Sequence, residues 1–314
     1  MNAVALARPL AAVLVLAGAS AACQIAPPME AQAPGTAAGE WVVGGRDLRK
    51  VTALVRVTPP ERLKATMETV AARIDDPDVS EFLRAHASGG FGSGALMVHR
   101  DASGEAAFVV TNRHVIAGAE DAEITFADGT TYKDCEIVYA SPRHDLAVVA
   151  LPPAAARTLG GGLRPASAEP GERLPVVASG YPGVAGKPSY QVTDGKISNA
   201  RFSMPEVGVR ETVFQHTAAI DPGSSGGPLT SEAGELVGLN VSLIRGRNAM
   251  FFAVPAAAVA DTVRHAHGLL TKRRSAAFMT ARARRSRPRS AAPRRTPSTC
   301  PRSCRTSSSP SRAS

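Results

Sequence analysis

The chain has 314 residues and a formal charge of +9, but thirteen basic and no acidic residues fall in 272–314, which leaves −4 for residues 1–271. A body of mildly acidic charge is a poor match for a phosphate backbone, so nucleic acid is not an expected partner. The 44 % of hydrophobic residues supply ample apolar material for a packed core.

Arg8 precedes an apolar run from Pro9 to Ala19 that is too short to span a membrane, and Ser20-Ala-Ala-Cys23 follows it. Residues 1–22 therefore read as an export signal, and the chain is expected outside the cytoplasm, in the periplasm or cell envelope. Cys23 after two alanines also fits lipidation, with Ser20 where a lipobox usually carries Leu; lipoprotein and ordinary cleavage both stay open. Residues 23–87 read as a tether followed by a short helical region. Its first part, rich in Ala, Pro and Gly, is a flexible linker by composition. Thr58-Pro-Pro-Glu61 has the form of a capping box, with Leu63, Met67, Val70, Ala71 and Ile74 at helical spacing behind it. Asp76-Pro-Asp starts a second short helix that Gly89 and Gly90 end. A rival reading makes Thr69 to Ile74 the first strand of a barrel.

From residue 88 to 268 the pattern changes to short Val/Ile/Leu-rich runs broken by Gly, Pro and Asp, at 94–98, 106–110, 123–127, 135–139, 146–151, 174–178, 236–243 and 250–254. That is the rhythm of a barrel or sandwich. Three motifs lie within it: Thr111-Asn-Arg-His-Val-Ile-Ala-Gly118, His144-Asp-Leu-Ala-Val-Val-Ala-Leu151 and Asp221-Pro-Gly-Ser-Ser-Gly-Gly-Pro228. A serine hydroxyl becomes a nucleophile when an imidazole takes its proton, and the imidazole needs a carboxylate to fix its tautomer. His114, Asp145 and Ser225 supply these groups in the order base, acid, nucleophile. The octamer also satisfies Gly-x-Ser-x-Gly, the nucleophile elbow of α/β-hydrolases. That architecture needs a helix after the serine and its partners downstream, whereas Pro228 to Ile244 reads as two strands around a Glu-Ala-Gly-Glu turn.

With Gly92-Ser-Gly-Ala-Leu-Met-Val98, Ser179-Gly-Tyr-Pro182, Val192-Thr-Asp-Gly-Lys-Ile-Ser198 and Phe252-Ala-Val-Pro255, the motifs resemble the trypsin-like serine proteases, and among them the HtrA/Deg group. The resemblance implies an all-β fold of two six-stranded β-barrels, with His114 and Asp145 from the first and Ser225 from the second. It implies an endopeptidase in which Ser225 attacks, His114 acts as base then acid, Asp145 holds the imidazole, and the N–H groups of Gly223 and Ser225 form the oxyanion hole. Ser224 stands where the family often has Asn or Asp. Thr217-Ala-Ala-Ile220 precedes the nucleophile loop without a carboxylate, so Ala219 implies a pocket for small or aliphatic side chains, and Val241-Ser242-Leu243 a strand that pairs with substrate backbone. Unfolded proteins or peptides are the expected substrates, and no PDZ-like segment is read after the protease. A non-catalytic relative that binds through the same cleft is the alternative. Deg relatives are often oligomers, so an oligomer is possible here.

Cys135 lies among strand residues as a small buried side chain, and Cys300 and Cys304 lack a second ligand pair. The seven histidines are scattered along the sequence, so neither a metal nor a cofactor is expected. The segment 269–314 reads as a disordered Arg/Ser/Pro-rich tail. It reads as an electrostatic arm for anionic polymers or membrane lipid, a solvated linker, or translation in a shifted frame, and its abrupt onset near Ser275 favours the last.

Overall fold

The computed structural model describes residues 39–44, 47–116, 118–184, 187–204, 209–241 and 251–285. In chain order the first half contains β1 (Glu40–Trp41), α1 (Leu48–Val51), β2 (Thr52–Val57), α2 (Glu61–Ala71), α3 (Pro77–Ala87), β3 (Gly90–Asp101), β4 (Gly104–Thr111), α4 (Arg113–Ile116), β5 (Asp121–Phe126), β6 (Thr131–Ala140), β7 (Ala147–Ala150) and α5 (Ala155–Leu159). The second half contains β8 (Pro175–Gly180), the small pair β9 (Gly183–Val184) and β10 (Lys187–Pro188), then β11 (Gln191–Met204), β12 (Val209–His216), β13 (Pro228–Ser231), β14 (Leu236–Val241), β15 (Phe251–Pro255) and α6 (Ala256–Arg285). Among the described residues no helix is long and apolar enough to cross a membrane.

The fold is the expected double barrel. In the first ring the order is β3-β2-β5-β6-β7-β4, with β1 added on β3. It closes because β3 is long enough to pair twice, with β2 along Gly90 to Ala95 and with β4 along Ala95 to Asp101. The second ring is the closed barrel β11-β12-β15-β14-β13-β8. Its core holds Val176, Ile197, Phe214, Leu229 and Val237, while Leu239 and Phe252 join the cluster that fills the first ring. Helix α6 covers that cluster with Val259, Val263, Ala266 and Leu270, a stripe at three- and four-residue spacing that puts all four on one face. Cys135 is buried and free, and burial, followed by Asp134 and Asp121, pushes its thiol up to about 11.

Several expectations need correction. The first strand of the ring is β2, within the stretch 23–87 expected to hold a tether and short helices but no strand of the ring, and Thr69 lies in helix α2. The two short helices are present, but the Thr58 capping box is not made: α2 starts at Glu61 with Pro60 as its N-cap and no side-chain cap. Each proline of the Pro59-Pro60 pair disfavours helical backbone in the residue before it, so the helix cannot begin at Thr58 or Pro59. Asp76 does cap α3, accepting from the Val79 N–H at 3.2 Å. Helix α6 continues to Arg285, so the start of the segment expected to be disordered is helical. Ala276, Ala277, Met279, Ala281, Arg282 and Ala283 are strong helix formers, and their local preference carries the helix on. The chain divides into compact units Met1–Lys272 and Arg273–Ser314, and residues 286–314, with Cys300 and Cys304, lie outside the described residues.

The histidines are also less scattered than the sequence suggests. His99 at the end of β3 and His267 on α6 are both buried, with their Nδ1 atoms 3.1 Å apart. His216 on β12 is fully buried and neither ring nitrogen makes a well-formed hydrogen bond. Burial lowers its pKa to about 4, and the nearby backbone of Phe252 and Ala218 offsets only part of that. The unfolded chain therefore binds a proton that the folded chain does not between about pH 6.5 and 4, and stability falls as pH drops through that window. Urea titrations of wild type should show a loss of up to about 3 kcal/mol between pH 7 and pH 4. A His216→Phe variant should lack most of that loss; an equal loss in both would locate the acid sensitivity elsewhere.

Candidate active site

His114 and Asp145 are brought together by the antiparallel pair β4–β7, in which Thr111 stands opposite Ala147. His114 lies in the single turn α4 that follows β4, and Asp145 lies in the turn between β6 and β7. That turn is built locally. The Ser141 hydroxyl accepts from the N–H groups of Arg143 and His144 at 3.3 and 3.2 Å, and the Ser141 N–H donates to the Leu146 carbonyl at 2.9 Å. The residues just before His114 then hold it from outside: Asn112 Nδ2 donates to the Asp145 carbonyl at 2.8 Å and Arg113 Nη1 to the Ser141 carbonyl at 3.1 Å. The Asp145 carboxylate thus meets His114 twice, with Oδ2 at 2.6 Å from Nδ1 and Oδ1 accepting from the His114 N–H at 3.0 Å.

Two contacts to one carboxylate fix both the position and the rotation of the imidazole, leaving Nε2 on the far side of the ring. Burial by itself would raise the Asp145 pKa. The charge of the His114 ring, its two hydrogen bonds and the Arg113 guanidinium outweigh burial and hold it below the ordinary carboxylate value. The pair therefore presents an ionised carboxylate to Nδ1 at neutral pH, which favours the tautomer with a proton on Nδ1 and a lone pair on Nε2.

Ser225 lies in the second half of the fold, but its loop takes its shape from the first. The Ser93 N–H on β3 donates to the Ser225 carbonyl at 2.8 Å, and the Ser93 carbonyl accepts from the Thr111 hydroxyl at 2.7 Å. The Ser93 hydroxyl donates to the Gly223 carbonyl at 2.7 Å and accepts from the Tyr181 N–H at 2.8 Å. Another hydroxyl pair, Thr52 with Ser179 at 2.7 Å, joins β2 to β8 in the buried seam. Gly226 has φ +85°, and a Cβ there would stand 2.2 Å from the Ser93 carbonyl oxygen, so this close approach admits no side chain.

A trans peptide places its C=O and N–H on opposite sides. The Pro222 carbonyl is taken by the Gly183 N–H at 2.9 Å, so the Gly223 N–H faces the other way. Likewise the Ser224 carbonyl accepts from the Gly227 N–H at 3.0 Å, which turns out the Ser225 N–H. Neither Gly223 nor Ser225 donates its N–H to an acceptor among the described residues. The φ of +101° at Gly223 gives the bend between the two peptides. Ser224, at the position where Asn or Asp is common, closes the turn: its N–H donates to the Asp221 carbonyl at 2.9 Å and its Oγ accepts from the Asp221 N–H at 3.4 Å. Two free, fixed donors flanking a serine can bind a developing oxyanion without reorganising.

Ala219 is exposed, and its carbonyl accepts from the Thr193 hydroxyl at 2.7 Å. Val241 is buried and pairs with Phe252 on β15. Ser242, Leu243 and Cys23 lie outside the described residues. The sequence reading missed Ser93, Thr111, Asn112 and Arg113. Ser93 was discoverable, as the one hydroxyl inside Gly92-Ser-Gly94. A Ser93→Ala variant should strip a partner from two groups, the Gly223 carbonyl and the Tyr181 N–H, each worth about 1–3 kcal/mol when left unsatisfied. Turnover of a peptide substrate should fall about 10- to 100-fold with a smaller change in KM; an unchanged kcat would mean that the loop holds without this hydroxyl.

Residues 92–239 match the trypsin-like peptidase domain family. HhoA of Synechocystis sp. is 32 % identical over 226 residues, 65 % of this chain and 53 % of that protein. The serine protease Do-like HtrA of Lactobacillus helveticus is 33 % identical over 150 residues, 48 % of this chain and 35 % of its own length. The chain thus spans about half or less of these curated relatives. Among solved structures, a variant of the HtrA-type protease AlgW with a tripeptide has a TM-score of 0.50 at 24 % identity, over 69 % of this chain and 60 % of that one. The Rv3671c protease of M. tuberculosis in its active form has a TM-score of 0.50 at 20 % identity, over 76 % and 93 %. The double ring and the matched family together make residues 92–239 a trypsin-like peptidase domain, similar in sequence to the HtrA-type serine proteases.

Proposed function

We propose that the protein is a serine endopeptidase in which His114, Asp145 and Ser225 form the triad. Ser225 Oγ attacks the scissile carbonyl while His114 Nε2 takes its proton; the C–N bond then breaks as His114 returns that proton to the leaving amine. Water, activated by the same imidazole, hydrolyses the acyl-enzyme and restores the serine. Asp145 stabilises the imidazolium in both halves, and the Gly223 and Ser225 N–H groups receive the oxyanion. The observations that support this reading are the doubly bonded His114–Asp145 pair and a serine loop that is tied to β3 through Ser93 and turns the N–H groups of Gly223 and Ser225 outward.

The exposed Ala219, with no carboxylate nearby in Thr217 to Ile220, suits small or aliphatic side chains before the cut. A substrate strand has a place to pair. Strand β13 begins at Pro228, opposite Leu239, and beyond it Asn240 exchanges backbone bonds with Gly226 and Gly227, so the same edge suits an added strand only from Val241 onward. Unfolded protein or peptide is the substrate class that fits an added strand. Export rests on residues 1–22, and relatives from Chlamydia trachomatis and Halomonas elongata carry names that place them in the periplasm. Membrane attachment would come through lipidation of Cys23.

A fluorophosphonate probe should label the protein on Ser225, located by peptide mass analysis. Absence of labelling in folded protein would instead favour a cleft that binds without cutting. Cleavage profiling on a peptide library should show small or aliphatic residues before the cut, and a strong preference for Lys or Arg would contradict the role given to Ala219.

A further inference from the structure

A second cluster of chemistry-bearing side chains lies on the first ring, at the end of β3 and beneath α6. His99 Nδ1 and His267 Nδ1 are 3.1 Å apart, and His267 Nδ1 is also 3.1 Å from Asp101 Oδ2. One ligand atom from each of the three residues lies within 4.8 Å of the others. One proton on His267 Nδ1 satisfies only part of this arrangement. If His267 Nδ1 carries a hydrogen, it can point it at Asp101 or at His99 but not squarely at both. If it carries none, it accepts from His99 while its lone pair faces a carboxylate.

A cation resolves the conflict: once the longest separation, up to 4.8 Å, closes to roughly 3.4 Å as the side chains draw in, all three atoms offer lone pairs to one centre. Two imidazole nitrogens each about 2.0–2.1 Å from a tetrahedral Zn²⁺ stand about 3.3 Å apart, close to the separation found here. We propose that His99, Asp101 and His267 form a binding site for a divalent transition-metal ion, Zn²⁺ in the first instance, that fastens α6 to β3.

The surroundings are those of a held site. Asp101 Oδ1 is occupied by the Ser103 N–H at 2.7 Å and the Ser103 hydroxyl at 2.5 Å, which leaves Oδ2 aimed at His267. The same hydroxyl contacts the Thr271 hydroxyl on α6 at 3.0 Å, so the carboxylate is braced from both elements. Such outer bonds set the direction of a ligand. The imidazoles are fixed by rings: Trp41 meets His99 edge-on at 4.9 Å, and Phe108 meets His267 at 5.9 Å. The His267 side chain is 4 % exposed and that of Asp101 30 %, so the ion reaches the site from the Asp101 side, where water can fill a fourth position. Two nitrogens and one carboxylate oxygen suit Zn²⁺ better than Ca²⁺ or Mg²⁺, which take oxygen ligands.

The test uses the full chain freed of metal by chelation, with Co²⁺ as a visible probe and Zn²⁺ as competitor. One equivalent of Co²⁺ should give d–d absorption that Zn²⁺ removes, and Zn²⁺ should raise Tm. His267→Gln should abolish both signals. Because His267 is buried, Asp101→Asn provides a second variant that spares the core, with affinity lowered at least about tenfold. His114→Ala should bind as wild type does. Absence of Co²⁺ absorption at saturation, or binding that survives both the His267 and Asp101 changes, overturns the site; loss of binding in His114→Ala alone moves the ion to the triad and overturns it equally.

Discussion

Ser225→Ala should remove casein digestion while leaving the fold in place, with kcat down by at least about 10⁴-fold. Its Oγ makes no hydrogen bond to a described residue, and its structural contact, the carbonyl that accepts from Ser93, belongs to the backbone and survives the change. Circular dichroism and urea midpoints should therefore match wild type. Equal digestion by both proteins would take Ser225 out of the mechanism and direct attention to a contaminating protease or to another nucleophile.

Asp145→Asn should be nearly as damaging to turnover, by about 10⁴-fold, for a different reason. The carboxylate accepts from His114 at both oxygens. An amide can accept at one only, and an NH₂ group facing Nδ1 stabilises the ring with its proton on Nε2, where it cannot take one from serine. The same change has a signature in stability. The depressed pKa of Asp145 contributes stability at pH above the unfolded aspartate value, and that contribution is lost as pH falls through the lower folded value. The amide of the Asp145→Asn variant has no such proton to gain, so its urea midpoint should vary less with pH at the acid end. A variant with wild-type turnover would show that His114 is oriented without its carboxylate.

The parts of this fold visible in sequence were those that repeat a local rule. Strand runs such as Ala106 to Val110 or Leu236 to Val241 are apolar because both faces are covered, and His114, Asp145 and Ser225 each sit in a frame that reads without its neighbours. Strand β2 was not visible. Thr52-Ala-Leu-Val-Arg-Val57 is as apolar as the others, but it stands next to a linker and two helices, and nothing local says that it pairs with β3 and β5. The bracing of the serine loop was hidden for a related reason. Ser93 and Gly223 are 130 positions apart, and a single hydroxyl gives no sign of which distant carbonyl it will meet. His99 and His267, separated by 168 positions, could be paired only once α6 was known to fold back on the first ring.

The bonds from Ser93 to the serine loop also set an order of events in the life of the chain. The hydroxyl and amide that shape the loop emerge from the ribosome early, with the first ring, while the loop they act on and the strand β15 that closes the second ring come more than a hundred residues later. A partly made chain can hold a finished His114–Asp145 pair and still have no seated nucleophile. On the proposed mechanism, proteolysis waits for that late step, and a chain truncated before Pro255, lacking a complete β15, should digest no casein.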